Sequence, residues 1–470
     1  MRLFEILLLA SECLVLLVLA IPRLRAVPRA PMVALLPLVL TALQWAVEGA
    51  RWQMVPAYAL GLLFALVLLL VKRGPEKPSL RFRLLRGSGL LLGSLALLVA
   101  AALPALLPVF KLPVPTGPYA IGTLTYHWVD SAREEVFTPA PGDHREQIAQ
   151  IWYPAQPAPG SARAPYVENG HFPSLARQLH LPGFFFDHLK YVKTHARTAA
   201  PVADGGGKFP VLVFAAGRGG FRQHNMFQVE ELVSHGYVVA TIDQPYAGSN
   251  IVFPDGREIA IAKPMLDFGF IEKISPYLGE DAVFTLNQLA KLDRADPRRI
   301  LTGRLDLDRA GMFGASLGGM TTSEACRLDR RFRACLILDA PIPPDVVASG
   351  LKQPTMFISR GADSMRREGL DAAYIENHQK SMRTLFASLP GDGYLLSIPG
   401  MFHANISDFP YIMAAPAASA LGITGPADAR QVHRIMNAYS LAFFDHYLKG
   451  ENRPLLERPS PWPEARLDRR

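Results

Sequence analysis

A chain of 470 residues with a formal net charge of +8 exceeds the usual size of one core, so one long domain or two unequal parts are expected. The composition shift decides for two: Met1 to about Phe110 is dominated by Leu, Ala and Val, whereas the sequence from Lys111 onward mixes charge, Gly, Pro and aromatics as soluble domains do. Much of the positive excess flanks apolar stretches, which argues for a membrane and against nucleic acid as the partner.

Four apolar stretches come first: Leu3 to Ile21, Met32 to Val47, Val55 to Val71, and Gly89 to Phe110. Each approaches or reaches the roughly 20 residues that carry a helix across a bilayer. The first is read as retained rather than as a cleaved signal peptide, because its start is weakly basic, it carries Glu5 and Glu12, and further spans follow. The first linker carries Arg23, Arg25 and Arg29 and the third carries Lys72, Arg73, Lys77, Arg81, Arg83 and Arg86, while the second offers only Arg51. The first and third linkers are therefore expected in the cytoplasm. With four spans in the cytoplasmic membrane, the N-terminus and everything after Phe110 then face the extracytoplasmic side. Glu12 is the one acid deep in an apolar span, a position that is often functional and is otherwise tolerated by packing against neighbouring spans.

After the connector KLPVPTGP, the segments Ala120 to Trp128 and Gln147 to Tyr153 alternate apolar and polar residues, as half-buried antiparallel strands do. The segment Tyr166 to Ala200 lacks clean periodicity and reads as an insertion over the sheet. Its Leu181, Phe184, Phe185 and Phe186 are either core or a lip that admits lipid-like acyl esters. Six short apolar runs follow, as expected of strands buried on both faces: Pro210 to Ala215, Tyr237 to Ile242, Ala310 to Gly314, Ala334 to Leu338, Thr355 to Ser359 and Tyr394 to Ile398. Helical patterns at Gln223 to His235, Gly279 to Leu292 and Leu317 to Arg327 alternate with them, which predicts a mostly parallel sheet. A last amphipathic helix, about Ala427 to Leu448, ends at Gly450 with Lys449 in its final turn. Cys13 falls in the first span; Cys326 and Cys335, at a helix end and the next strand start, either form a disulfide or remain two buried thiols.

The most informative stretch is AGMFGASLGG, Ala310 to Gly319, where a buried strand runs into Gly314-Ala315-Ser316-Leu317-Gly318 and a helix follows. This is the G-x-S-x-G nucleophile elbow in its required strand-and-helix context, and it makes the expected fold class α/β, an α/β-hydrolase fold preceded by about four transmembrane helices. A serine hydroxyl is a weak nucleophile at neutral pH, so a histidine must take its proton. His403, in PGMFHANISDF after the last strand, is placed for that task. The acid that orients it is Asp339, ending the strand Ala334 to Leu338, or Asp363, beyond the next strand; both keep the order serine, acid, histidine. Oxyanion donors are expected from the backbone amides of Leu317 and of Arg218 in Gly217-Arg218-Gly219-Gly220.

FPVLVFAAGRGGFR, MFGASLGG, LILDAPIPP and FHANISDF, in this order and with QIWYPAQ before and LAFFDHYLKG after them, resemble the plasma-type platelet-activating-factor acetylhydrolases and their bacterial α/β-hydrolase relatives. The resemblance runs from about Gly117 to Gly450 and leaves the apolar region unexplained. It implies calcium-independent hydrolysis of phospholipid esters with short or oxidised acyl chains by a Ser-Asp-His triad. It also implies Asp339 as the acid and the amides of Arg218 and Leu317 as the oxyanion donors. Ala315 and Ala216 stand where the family usually has histidines, so substrate choice is not carried over.

The expected organisation is a membrane region over 1–110, a linker over 111–118, a catalytic domain over 119–450 and a tail over 451–470. The expected activity is that of a serine carboxylic ester hydrolase that needs no metal or organic cofactor and takes a small ester or phospholipid-like substrate. Acyl transfer by the same triad, and an inert hydrolase-like domain on a membrane scaffold, are the alternatives.

Overall fold

The computed structural model describes residues 1–25, 27–70, 79–168, 176–177, 179–204, 207–249 and 251–470. Lys72, Arg73 and Lys77 of the third linker, and part of the Tyr166 to Ala200 insertion, lie outside the described residues. The chain forms two compact units: Met1–Phe110 with Asp187–Tyr191 and Tyr411–Ala417, and the remainder from Lys111 to Arg470.

The first unit contains α1 (Leu3–Ala20), α2 (Leu35–Val47), α3 (Val55–Leu70) and α4 (Leu80–Leu106). Leu8, Val15, Met54, Phe64 and Ala100 form its core, yet Leu14, Leu17, Leu62, Leu69, Leu91, Leu95 and Leu98 point outward. Helices that are apolar all round belong in lipid or in a larger core. Three helices, Leu3–Ala20, Trp52–Leu70 and Leu80–Leu106, are long and apolar enough to cross a membrane. The expectation of four is corrected at Met32 to Val47, which forms a 3₁₀ turn (Ala30–Ala34) and a 13-residue helix. That helix is about 20 Å long, short of the roughly 30 Å hydrocarbon layer. The cause is Pro37: it lacks the N–H for an i→i−4 bond and its ring clashes one turn back, so the α-helix cannot begin much before Leu35.

The short helix still returns the chain. Arg2 Nη2 donates to Gly49 O at 2.9 Å and Phe4 N–H to Glu48 Oε1 at 2.9 Å, so α2 ends beside the start of α1. Arg51 Nη1 donates to Leu107 O at 2.6 Å, bringing the exit of α4 to the same end. At the opposite end Arg86 Nη2 donates to Ala20 O at 2.7 Å. Glu5 is buried like Glu12 but accepts from Arg51 Nε at 2.7 Å and Arg2 Nε at 2.8 Å. Glu12 lies in the bundle core, where an added Cβ on Gly61 would stand 3.1 Å from its Oε1.

The second unit is built on an eleven-stranded sheet. Its first strands, β1 (Ala120–Glu134) and β2 (His144–Ala155), pair antiparallel, and β3 (Arg163–Pro165) and β4 (Lys193–Thr198) extend that edge. The centre comprises β5 (Phe209–Ala215), β6 (Val238–Asp243), β7 (Leu305–Ala315), β8 (Phe332–Leu338), β9 (Thr355–Ser359) and β10 (Gly393–Ser397), each parallel to its neighbours within this group. With β11 (Arg466–Arg469) antiparallel at the far edge, the order is β11-β10-β9-β8-β7-β5-β6-β2-β1-β4-β3. Residues 451–470 are thus not merely a tail, because their end completes the sheet.

Crossovers are made by α5 (Met226–Ser234), α6 (Phe268–Ala295), α7 (Leu317–Leu328), α8 (Ala372–Ser388) and α9 (Ala429–Lys449). Asp428 caps α9 through Gln431 N–H at 2.8 Å, and Gly450 ends it at φ 72°. Cys326 of α7 and Cys335 of β8 are joined by a disulfide, Cα–Cα 6.7 Å, which decides between the two readings left open above.

One buried ionic network pins β2 to α6. Arg145, fully buried, donates to Asp281 Oδ2 at 2.7 Å and Glu135 Oε2 at 2.9 Å, while Arg133 reaches Asp281 Oδ1 at 2.8 Å. Burial alone would raise the Asp281 carboxyl, but the two guanidiniums outweigh it and hold its pKa below the ordinary value. Asp281→Asn removes the buried carboxylate that Arg145 and Arg133 share, leaving Arg145 with Glu135 alone, and is expected to destabilise the domain by about 3 kcal/mol in urea unfolding. A midpoint like that of the wild type would show that the network is not needed for stability.

Candidate active site

The order β7-β5-β6 means that the chain leaves β5 toward one neighbour and returns on its other side, which opens a crevice at the carboxyl ends of these strands. Two loops meet there. Gly217–Gly220 follows β5 as a tight turn closed by Gly220 N–H to Gly217 O at 2.8 Å, with Gly219 at φ 70° and its N–H on Ala247 O at 2.9 Å. Ser316 follows β7.

The turn at Ser316 has no room for side chains around it. A Cβ on Gly314 would stand 2.1 Å from Gly318 O, and one on Gly318 would stand 1.9 Å from Ala215 O. With both glycines bare, β7 turns directly into α7, and Ser316 takes φ 57°, ψ −118°, a region that non-glycine residues rarely enter. Its N–H is held by Leu338 O at 2.8 Å. Leu317 opens α7, so its amide is one of the first-turn donors without a partner inside the helix. A Cβ on Gly217 would lie 3.2 Å from Ser316 Cβ, so the turn containing the Arg218 amide abuts the serine. The Arg218 side chain is exposed and donates through Nη1 to Met265 O at 3.2 Å.

Since Ala315 pairs with Leu338 across β7 and β8, Ser316 and Asp339 leave adjacent strands side by side. Asp339 stands at φ 45° with its N–H on Ile358 O at 2.8 Å, and its buried carboxylate is surrounded by donors. Oδ2 lies 2.6 Å from His403 Nδ1 and 2.9 Å from Arg360 Nε; Oδ1 accepts from Ser359 Oγ at 2.9 Å and Arg360 N–H at 3.1 Å. Burial would raise this carboxyl, but Arg360 and then His403 outweigh it and hold it well below the usual carboxylate range. His403 is half-buried, and its N–H donates to Glu368 Oε1 at 2.8 Å; Glu368 in turn pairs with Arg360.

Of the two candidate acids, the structure brings Asp339 to His403. Asp363 lies in the short helix Ala362–Arg367, with its side chain 85% exposed and paired with Arg366. Arg360, Glu368 and His378 escaped the sequence reading, since each is supplied by a segment whose approach to Asp339 no local pattern encodes. His224 escaped it as well. Its Nδ1 would stand 2.7 Å from a Cβ on Gly220, and burial and the neighbouring His403 push its pKa down to about 4. The aromatic run in the insertion divides, with Phe186 buried and Phe184 exposed. Among the described residues no group of three or more His, Cys, Asp or Glu side chains is placed to hold a metal ion.

Comparison with known proteins agrees with this architecture. Residues 108–248 and 285–454 match the family described as platelet-activating factor acetylhydrolase, isoform II. A platelet-activating factor acetylhydrolase of Cavia porcellus is 24% identical over 334 residues, covering 65% of this chain and 73% of its own. A "Probable 1-alkyl-2-acetylglycerophosphocholine esterase" of Arthroderma benhamiae is 26% identical over 400 residues, 78% of this chain and 96% of its own. Among solved structures, a ferulic acid esterase from Streptomyces cinnamoneus matches with TM-score 0.63 and 29% identity over 77% of this chain and 99% of its own. The α/β-hydrolase fold is the one observed.

His378 offers a test of the electrostatics around Asp339. It is fully buried with Nε2 3.9 Å from Asp339 Oδ1, and burial, opposed by Asp339, pushes its pKa down to about 4. An unfolded histidine titrates near 6.5, so between pH 6.5 and 4 only the unfolded chain binds this proton, and the folded state loses stability as pH falls. The loss reaches at most about 3 kcal/mol. Urea midpoints of the wild type and His378→Gln should therefore diverge below pH 6.5, the wild type falling more steeply. Parallel curves from pH 7 to 4.5 would contradict a buried neutral imidazole.

Proposed function

Because the chain belongs to the platelet-activating factor acetylhydrolase, isoform II, family and is a carboxylic ester hydrolase, we propose that Ser316 is its nucleophile, His403 its general base and acid, and Asp339 the carboxylate that orients His403. The observation that carries this reading is the 2.6 Å contact of His403 Nδ1 with a buried Asp339 carboxylate, one strand from a serine on a strained elbow. With Nδ1 committed to Asp339, Nε2 is the nitrogen left to take the serine proton.

Ser316 Oγ attacks the acyl carbonyl, its proton passes to His403 Nε2, and the ionised Asp339 stabilises the imidazolium that forms. Negative charge on the carbonyl oxygen is met by the amides of Arg218 and Leu317, two donors fixed by the backbone before substrate arrives. Collapse expels the alcohol, which takes the proton from His403, and leaves an acyl-enzyme. Water, deprotonated by His403, then attacks that ester and releases the acid and the free serine.

The substrate class is a short acyl ester on a lipid-like alcohol. The named relatives act on platelet-activating factor and on 1-alkyl-2-acetylglycerophosphocholine, and the membrane unit keeps the enzyme among lipids. The unit is read as an anchor that leaves both the N-terminus and the hydrolase domain outside the cytoplasm. Its two ends support this: the start of α1 and the exit of α4 share one end, and Arg25 and Arg86 mark the other. The Cys326–Cys335 disulfide suits the oxidising side.

Ser316→Ala and His403→Ala should each lower p-nitrophenyl acetate turnover by roughly three or more orders of magnitude, and Ser316→Ala should abolish labelling by a fluorophosphonate. Asp339→Asn should impair turnover severely and Asp363→Asn little. The reverse ranking would transfer the orienting role to Asp363, and wild-type-like rates in Ser316→Ala would remove the triad.

For topology, a protease added to intact cells stripped of any outer barrier should digest the hydrolase domain. Protection that persists until the cytoplasmic membrane is breached would reverse the orientation.

A further inference from the structure

Between α1, α3 and α4 lies an apolar cavity of about 580 Å³, within the roughly 300–1,000 Å³ of pockets that hold small ligands. Leu16, Leu60, Phe64, Val67 and Leu90 line its walls. One face of α4 makes the groove: Phe82, Arg86, Gly89, Gly93 and Ala96 recur at helical spacing and all line it. An added Cβ at Gly89 would meet nothing within 4 Å, whereas one at Gly93 would stand 3.3 Å from Leu16 and Phe64, so the space is open at the first glycine and closes at the second. Arg86 to Ala96 spans about 15 Å of helix.

Arg25 and Arg86 line the same cavity at the end where α1 stops and α4 starts. Arg86 uses Nη2 on the carbonyls of Leu19 and Ala20, at 3.1 and 2.7 Å. Arg25 Nε is shut off from solvent and has no hydrogen-bond partner among the described residues. No ion pair with a carboxylate among those residues involves either guanidinium, and burial together with the charge of Arg86 lowers the pKa of Arg25. Arginines at helix ends normally extend their heads into water or headgroups. Here two partly buried like charges meet at the rim of an apolar groove, and an anion with an apolar tail would satisfy both the charges and the groove.

We propose that this groove binds an anionic phospholipid of the cytoplasmic leaflet, its phosphate between Arg25 and Arg86 and one acyl chain along the Gly89 face of α4. The site rests on the reading of this unit as membrane-spanning with its arginine-rich end in the cytoplasm. The cytoplasmic leaflet carries the anionic lipids that attract such clusters. A lipid held there faces the cytoplasm and is a resident of the anchor, distinct from an ester presented to Ser316 on the other side.

The test uses the full-length protein in mild detergent, titrated with dioleoyl phosphatidylglycerol or dioleoyl phosphatidylcholine and read by native mass spectrometry. One phosphatidylglycerol should be retained in preference to phosphatidylcholine by about tenfold: both offer a phosphate, but only phosphatidylcholine brings a choline cation beside it, which the two guanidiniums repel. Arg25→Gln, which leaves Arg86 as the one guanidinium, should lower the preference for phosphatidylglycerol several-fold, and Gly89→Leu, which fills the groove, should lower retention of both lipids. Fluorophosphonate labelling of Ser316 serves as the folding control for each variant. Equal retention of the two lipids by the wild type, or an unchanged preference in Arg25→Gln, would overturn the site while leaving the anchor standing. Release of the protein from membranes by alkaline carbonate without detergent would overturn the membrane reading and the site with it.

Discussion

Everything at the carboxyl edge of the sheet depends on one close approach, that of Gly318 to the carbonyl of Ala215. Three backbone segments, the ends of β5 and β7 and the first turn of α7, occupy space that any Cβ would fill. Their contact leaves β7 no spacer before the helix, which drives Ser316 into its strained conformation, at about 1–3 kcal/mol for a residue of this kind. The pairing of β5 with β7 from Val211 to Ala215 and the burial of both strands hold that strain in place. The same contact brings the Gly217 turn against the serine, so the proposed nucleophile and both amides proposed for the oxyanion are set by backbone packing, without reliance on mobile side chains.

The second layer is electrostatic. Asp339, Arg360 and Glu368 are interlinked, and together they carry one net negative charge while buried His378 stays neutral. In the proposed mechanism, a proton taken up by His403 would bring the group to neutrality. The cost of burying Asp339 is offset by three hydrogen-bond donors and the ion pair with Arg360, so its carboxylate stays ionised at neutral pH.

The first unit, with three helices long and apolar enough to cross a membrane, distributes its polar groups differently. Its polar groups gather at its ends, with Glu5, Arg51 and Arg2 knotted at one and Arg25 and Arg86 at the other, while apolar side chains cover its outside. Arg51 also binds Pro104 O and Leu107 O, carbonyls at the end of α4, where the last turn leaves acceptors without helical partners. Glu12 is the exception, an acid within the bundle against Gly61.

Local pattern made much of this protein readable. The central strands lie within a few residues of where the apolar runs place them, and the elbow follows from Gly314, Ser316 and Gly318 between a buried strand and a helix, because hydrophobic period and steric allowance act over neighbouring residues. The late start of the second apolar α-helix was likewise written in the chain, at Pro37, and it leaves that helix shorter than the three that are long and apolar enough to cross a membrane. Helix α8 was missed because its buried residues Ile375, Met382 and Leu385 are sparse among polar ones, and β11 because RLDR has no apolar alternation and becomes a strand only by pairing with β10. The contact of His403 with Asp339, toward which the family resemblance had already pointed, the union of Cys326 with Cys335, and the gathering of Arg360, Glu368 and His378 around one carboxylate belong to tertiary structure. Each depends on a distance across the fold, and spacing along the chain carries no information about that distance until the strands are in register.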